Sequence, residues 1–137
     1  MPRIERKKKI KATTKTIYNI LENELGMPKW NLVVNEVKEL GPGKFFLKTN
    51  VGDVTSTRLE AVPNERISAS QENSIMTSLG YILNPKEDVV ETVLWAEYDN
   101  PDDEPMLGIA GDVFLKSLKK FAEYLETGGN PEEFKKK

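Results

Sequence analysis

Apolar and polar positions along the chain change period three times. From Arg3 to Ala12, Ile4, Ile10 and Ala12 share one parity and Glu5, Lys7, Lys9 and Lys11 the other, which is the pattern of a strand with one wet face. Thr13-Thr14 then offers an N-cap, and Ile17, Ile20, Leu21 and Leu25 fall on one face of a short helix that Gly26 stops. Met27-Pro28-Lys29-Trp30-Asn31 reads as a second short helix or a tight turn. The period then drops to two. Strands are expected over 32–40, 44–51, 54–62, 67–73, 76–83 and 89–98, separated by turn signals such as Gly41-Pro42-Gly43, Pro63-Asn64-Glu65-Arg66 and Asn84-Pro85. After Asn100 the period lengthens again. Apolar residues at 107, 110, 114, 118, 121 and 125 form a helical stripe from Met106 to Thr127, with Pro105 suited to its first turn and Gly128-Gly129 to its end.

One strand, two short helices, six strands and one long amphipathic helix describe an α+β chain. The long helix cannot bury its stripe alone, and an antiparallel sheet of six to seven strands cannot cover its own apolar face. A curved sheet gripping the C-terminal helix satisfies both, with the short helices plugging one end and an apolar hollow left there. No repeat or linker divides the chain, so residues 1–137 read as one domain.

Composition narrows the chemistry. The 137 residues are 38% hydrophobic and 31% charged, enough for a modest core, and they include no Cys and no His. That removes disulfides, thiol redox, ordinary zinc sites and the His-dependent nucleophile systems. An acid–base catalyst would have to be an Asp, Glu, Lys or Tyr with a strongly shifted pKa, and no such constellation stands out, so no catalytic residue is assigned. No metal or cofactor is expected either: Asp102-Asp103-Glu104 lacks the spacing of a calcium loop and reads as acids favouring a helix N-terminus. No apolar run approaches the roughly 20 residues that span a bilayer. The start, Met1 to Arg6, is too charged for a signal peptide, so the expectation is a cytoplasmic protein that does not span a membrane.

Four segments carry a family resemblance: Ile10-Lys11-Ala12-Thr13-Thr14-Lys15-Thr16-Ile17-Tyr18, Met27-Pro28-Lys29-Trp30, Pro63-Asn64-Glu65-Arg66-Ile67, and Leu118 to Phe134 with Glu126, Gly128, Asn130 and Pro131. In this order and spacing the chain resembles the SRPBCC superfamily, which includes START and birch-pollen-allergen-like helix-grip domains and polyketide cyclase/dehydrase-like proteins. The resemblance implies a helix-grip fold in which the first and last strands lie side by side, and a role in binding or transforming apolar molecules. Charge agrees with that topology. The formal net charge of −2 hides a block of six basic residues and one acidic residue between Arg3 and Lys11, and a block of eight acidic residues with no basic one between Glu87 and Glu104. Opposite charges across paired strands contribute roughly 0.2–1 kcal/mol each, and contacts between the Lys7/Lys9 face and the Glu91/Glu97 face are expected. A neutralised strand explains the lysines better than a nucleic-acid surface, since no aromatic platform accompanies them. Lys135-Lys136-Lys137 reads as a solubilising tail.

The candidate site follows from strand parity and the start of the long helix. Val90, Thr92, Leu94, Ala96 and Tyr98 share the parity that the charges place inward, leaving Glu91, Val93, Trp95 and Glu97 outside. Trp95 with Val93 is then either a homodimer contact or a cover for a lysine stem. Trp30 is either a pocket wall or a core tryptophan. Arg58 would hold an anionic or carbonyl group if it pointed inward, but the cost of burying charge favours the surface. Tyr81 shares parity with Thr77, Leu79 and Leu83, which suggests an inward phenol. Gly108 and Gly111 cost roughly 1 kcal/mol each against alanine in a helix, so close approach to the sheet or a movable rim should offset them. The expected cavity lies under the first half of the long helix, with Trp30, Leu79, Leu94, Met106, Ile109, Ala110 and Phe114 as walls and Tyr81 and Thr92 as polar groups. The expected ligand is an apolar small molecule or lipid. The alternatives are a cyclase- or dehydratase-type enzyme on an apolar substrate and a protein-interaction module; a fully packed core with no cavity is also open.

Overall fold

The computed structural model describes residues 2–50 and 52–136. Val51 at the end of an expected strand, Met1 at the charged start and Lys137 of the basic tail lie outside them. Strand β1 (Arg3–Ile10) leads into α1 (Thr14–Glu22), a 3₁₀ turn (Glu24–Gly26) and α2 (Met27–Trp30). Then come β2 (Val34–Gly41), β3 (Lys44–Thr49), β4 (Gly52–Val62), β5 (Arg66–Glu72), β6 (Met76–Pro85) and β7 (Val90–Tyr98). A 3₁₀ turn (Pro101–Asp103) opens into α3 (Glu104–Glu126), and another, Pro131–Glu133, follows it. The seven strands form one sheet in the order β1-β7-β6-β5-β4-β3-β2, with every pair antiparallel. Helix α3 packs on β1, β7 and α1. This is the helix-grip α+β arrangement.

The two charge blocks meet as neighbouring strands. In the β1–β7 register Lys9 stands opposite Glu91 and Arg3 opposite Glu97, while Lys7 faces Val93 instead of an acid. The inward parity of β7 is as read from the sequence: Val90, Thr92, Leu94, Ala96 and Tyr98 are all buried. On the other face Val93 is also buried and Trp95 is half-buried, so the two form no exposed patch. The Trp95 ring lies over Gly80, where an added Cβ would come within 2.5 Å of it. The Arg3 guanidinium sits 4.5 Å from the ring centroid on β1. A basic side chain therefore covers this tryptophan, close to the covering role considered for a lysine.

Helix α3 buries a broader stripe than its apolar spacing suggests, running from Leu107 and Gly108 through Gly111, Phe114, Leu115 and Leu118 to Phe121 and Ala122. The glycines belong to the contact. A Cβ on Gly108 would overlap the Arg6 guanidinium, and one on Gly111 would stand 3.5 Å from Arg6 Cγ and from Leu94 Cδ2. Gly108 thus leaves room for the Arg6 guanidinium, whereas Gly111 sits at ordinary contact distance and has space for a methyl group.

The other end of α3 holds the β1–α1 corner through two carboxylates. Glu123 Oε2 accepts from the Lys11 backbone N–H at 2.9 Å and from Lys119 Nζ at 2.6 Å. Glu126 Oε1 accepts from the Thr13 backbone N–H at 3.1 Å and the Thr16 hydroxyl at 2.5 Å, beside the Thr13 hydroxyl that caps α1. Bonds from Thr16 and Thr13 hold the Glu126 carboxyl below its ordinary pKa. For Glu123, partial burial pushes up, but the bonds from Lys11 and Lys119 outweigh it and the net shift is downward.

Two sets of substitutions test this packing. Gly80→Ala displaces the Trp95 ring and destabilises by about 1–3 kcal/mol in urea unfolding, whereas Gly111→Ala fits at van der Waals distance and stabilises by about 0.5–1 kcal/mol. Because the folded pKa values of Glu123 and Glu126 are depressed, their contribution is complete above the ordinary carboxylate pKa and is lost as pH falls through the folded values. Glu126→Gln therefore lowers stability at neutral pH and flattens the acid limb of a stability–pH profile.

Candidate functional site

Helix α3 lies over β1 and β7, and α1 reaches β5 only at one end, so much of the inner face of β3, β4 and β5 is left uncovered. Between that face and the first half of α3 lies a cavity of about 590 Å³, within the ~300–1,000 Å³ usual for small-molecule sites. Its floor includes Leu47, Val54, Ile67, Ala69 and Leu79, and its roof is Met106, Leu107, Ile109, Ala110, Val113 and Phe114. Leu21, Glu24, Met27 and Trp30 close one end. Ile75 in the β5–β6 turn and Met106 and Ile109 on α3 line the cavity yet are exposed, Ile109 to 67%, so they mark its mouth.

Seven of the nine residues picked from sequence line this space: Trp30, Leu79, Tyr81, Met106, Ile109, Ala110 and Phe114. Trp30 serves both readings considered for it, being 1% exposed, part of the main core cluster and part of the wall. Leu94 and Thr92 are corrections. Both sit on β7, directly beneath α3, where packing leaves almost no room. Leu94 touches only a hollow of about 10 Å³ beside Gly111 and Phe114. Thr92 is completely buried away from the cavity, with its hydroxyl unpaired among the described residues.

Arg58 is a further correction. It shares the parity of Val54 and Ser56, both buried, while Leu59 faces solvent at 61% exposure. Its Nη2 donates to the carbonyl oxygen of Glu22 at 2.9 Å, at the C-terminus of α1, and lies 3.7 Å from Glu24 Oε1. Its Nη1 is 3.8 Å from Glu22 Oε1. Two carboxylates and a helix-end carbonyl thus meet the charge that the surface reading left uncompensated.

Glu24 was not singled out by the sequence reading. A helix continued through 25 would bury Leu25 and expose Glu24. Instead α1 ends at Glu22, and the following 3₁₀ turn, with three residues per turn, re-phases the chain. Leu25 is 56% exposed, and the Glu24 side chain turns in at 13%. Burial holds the Glu24 pKa above the ordinary carboxylate value, against the opposing pull of Arg58. Across the cavity end, burial pushes the Tyr81 phenol far up, with the Glu24 charge adding to it. Tyr81 therefore stays a neutral hydroxyl throughout the working pH range.

Among the described residues no group of three or more acids is arranged to hold a metal ion. Asp102 and Asp103 instead occupy the turn that opens α3, where the Asn100 side chain accepts from the Asp102 N–H. No described helix is long and apolar enough to cross a membrane.

No family model and no curated protein sequence matches this chain. Solved structures do. A START superfamily protein from Mycobacterium smegmatis superposes with a TM-score of 0.72 at 17% identity, over 90% of this chain and 98% of its own. The Zhui aromatase/cyclase from a Streptomyces species gives 0.74 at 17% identity, over 94% and 99%. A protein solved in solution as a dimer, from Colwellia psychrerythraea, gives 0.72 at 18% identity, over 95% and 100%. The chain thus has the fold of START-like and aromatase/cyclase proteins, the fold that the sequence resemblance implied.

A double-mutant cycle measures the Arg58 tie. Arg58→Met leaves Glu24 inward and unpaired and costs about 1–3 kcal/mol, below the fully buried range because both partners retain some exposure. Adding Glu24→Leu recovers most of that loss in urea unfolding.

Proposed function

We propose that the protein binds an apolar small molecule or lipid in the cavity between the sheet and α3. The observation that carries this reading is a space of about 590 Å³ walled mainly by Leu, Ile, Val, Met, Phe and Trp side chains. Removing apolar surface from water contributes roughly 25 cal/mol per Å², so a ligand that fills the space gains affinity from burial alone. The exposed Met106 and Ile109 at the mouth give the ligand an apolar entry, and methionine adapts readily to different shapes.

A second reading, an enzyme acting on an apolar substrate, is favoured by Glu24. Its carboxyl has a raised pKa inside the cavity, beside a neutral phenol, the kind of perturbed group that acid–base chemistry uses. An interaction module built on Val93 and Trp95 has less support, because Val93 is buried.

Native mass spectrometry of protein purified from its source tests the binding reading: a retained apolar molecule is the expected result. In titrations with Nile red the wild-type protein should enhance the dye's fluorescence saturably. Ala69→Trp, which fills the floor, weakens binding at least about tenfold while far-UV circular dichroism stays unchanged. Equal dye binding by the filled variant sinks the assignment to this cavity. Chemical conversion of the bound molecule, with a pH–rate inflection that Glu24→Gln removes, would favour the enzyme.

A further inference from the structure

We propose that the cavity selects its ligand by charge: it takes an apolar molecule whose polar group is a hydrogen-bond donor, a hydroxyl or an amine, held by Glu24, and it turns away molecules headed by a carboxylate or phosphate. This inference rests on the binding reading above and names the class of ligand.

The wall itself carries the argument. Among the described residues that line the cavity, Glu24 is the only charged one; no lysine or arginine shares the wall. The nearest cation, Arg58, is not part of the wall. Its guanidinium is held from the β4 side by the Glu22 carbonyl, the Glu22 carboxylate and Glu24 itself. Of these charged groups only Glu24 reaches the closed end of the cavity. An anionic head group entering there meets a carboxylate in a poorly hydrated space, with no cation in the wall to neutralise it.

Hydrogen bonding points the same way. Several amide and hydroxyl donors on the wall are already engaged inside the protein, while Trp30 Nε1 is a neutral donor with no partner among the described residues and brings no positive charge to an anion. Asn50 donates its amide to the Leu32 carbonyl, Gln71 donates to the Ser56 hydroxyl, and Thr49 donates to the Gly52 carbonyl. The Glu24 carboxylate, in contrast, faces the cavity with Arg58 at 3.7 Å as its near partner, and retains acceptor capacity for a ligand donor. The neutral Tyr81 phenol on the same wall completes a site suited to a hydroxyl, which both donates and accepts.

Competition against Nile red with 1-decanol, decylamine and decanoate at pH 7.5 tests the proposal, since the three share a chain and differ in the head group. Decanol or decylamine should displace the dye at a concentration at least about tenfold lower than decanoate, and which of the two is stronger tells hydroxyl from amine. In Glu24→Gln the gap between decanoate and decanol should close to within about threefold. Glu22→Gln, whose carboxylate is outside the wall, should keep the wild-type ranking. Decanoate binding as well as decanol to the wild-type protein overturns the proposal, and that ranking needs no variant to fold. An unchanged gap in Glu24→Gln, or a gap lost in Glu22→Gln, overturns the role given to Glu24. If neither the dye nor any of the three compounds binds, the cavity reading itself fails, a result distinct from equal binding by all three.

Discussion

The seat of α3 on β1 and β7 is the constraint from which the rest of the molecule follows. A 23-residue helix laid across the middle of the sheet would fill the grip with its own side chains. Here its stripe goes onto the strands at one edge, and the inner face of β3 to β5 is left open beneath its first half. What holds it off-centre is local and specific. Gly108 leaves room for the Arg6 side chain against the helix, with Arg6 Nε 3.4 Å from Asp112 Oδ1. At the far end Glu123 and Glu126 hold the backbone N–H groups of Lys11 and Thr13. An exposed ion pair such as Arg6–Asp112 is worth little by itself, so the seat depends on the buried stripe of α3 and on backbone hydrogen bonds at the corner.

A second tie sets the closed end. The α1–α2 segment must be anchored to the sheet for the cavity to have a floor-to-wall corner, and Arg58 supplies that anchor by reaching from β4 to the last carbonyl of α1. The arrangement carries an electrostatic consequence. Arg58 pairs with Glu22 at the exposed side and with Glu24 at the buried side, so the carboxylate left facing the cavity is only partly compensated. A neutral aliphatic residue at 24 would pack more cheaply but would leave Arg58 with one carboxylate and one carbonyl. The structural tie and the polarity of the cavity are therefore one device, and substitutions at this corner change both.

The parts of this architecture that were legible in the sequence are those governed by period and parity. Alternation in β7 placed Val90, Thr92, Leu94, Ala96 and Tyr98 inward, and opposite charge blocks at 3–11 and 87–104 pointed to neighbouring strands. The roof of the cavity followed from Met106, Ile109 and Phe114 at the start of α3. Three features were not legible, each for a physical reason. Glu24 is buried because a 3₁₀ turn interrupts the helical period after Glu22, and Leu25 leaves the core with the same rotation. Arg58 points inward because its compensating charges come from residues more than 30 positions away, which parity and transfer cost cannot see. Leu94 and Thr92 face the right way but lie under the helix seat, and strand parity alone does not tell which part of an inner face a helix covers.

The same reasoning explains why the two ends of the cavity differ in firmness. After α3 the chain turns back as a strap. Phe134 packs against Phe121 at 4.7 Å and Tyr124 at 5.0 Å between ring centroids. Lys29 Nζ donates to the Pro131 carbonyl, and Lys136 Nζ donates to the carbonyls of Asn31 and Val34. The strap therefore fastens α2, with Trp30 and Met27 in the wall, to the firmly seated half of the helix. Among the described residues no comparable bonds cross the mouth, where Ile75, Met106 and Ile109 face solvent. Fluctuations that admit a ligand cost least where the fewest packed contacts must open. In the binding proposed above, the apolar body would enter past Met106 and Ile109, and a leading polar head would come to rest against the end that the strap and Arg58 hold in place.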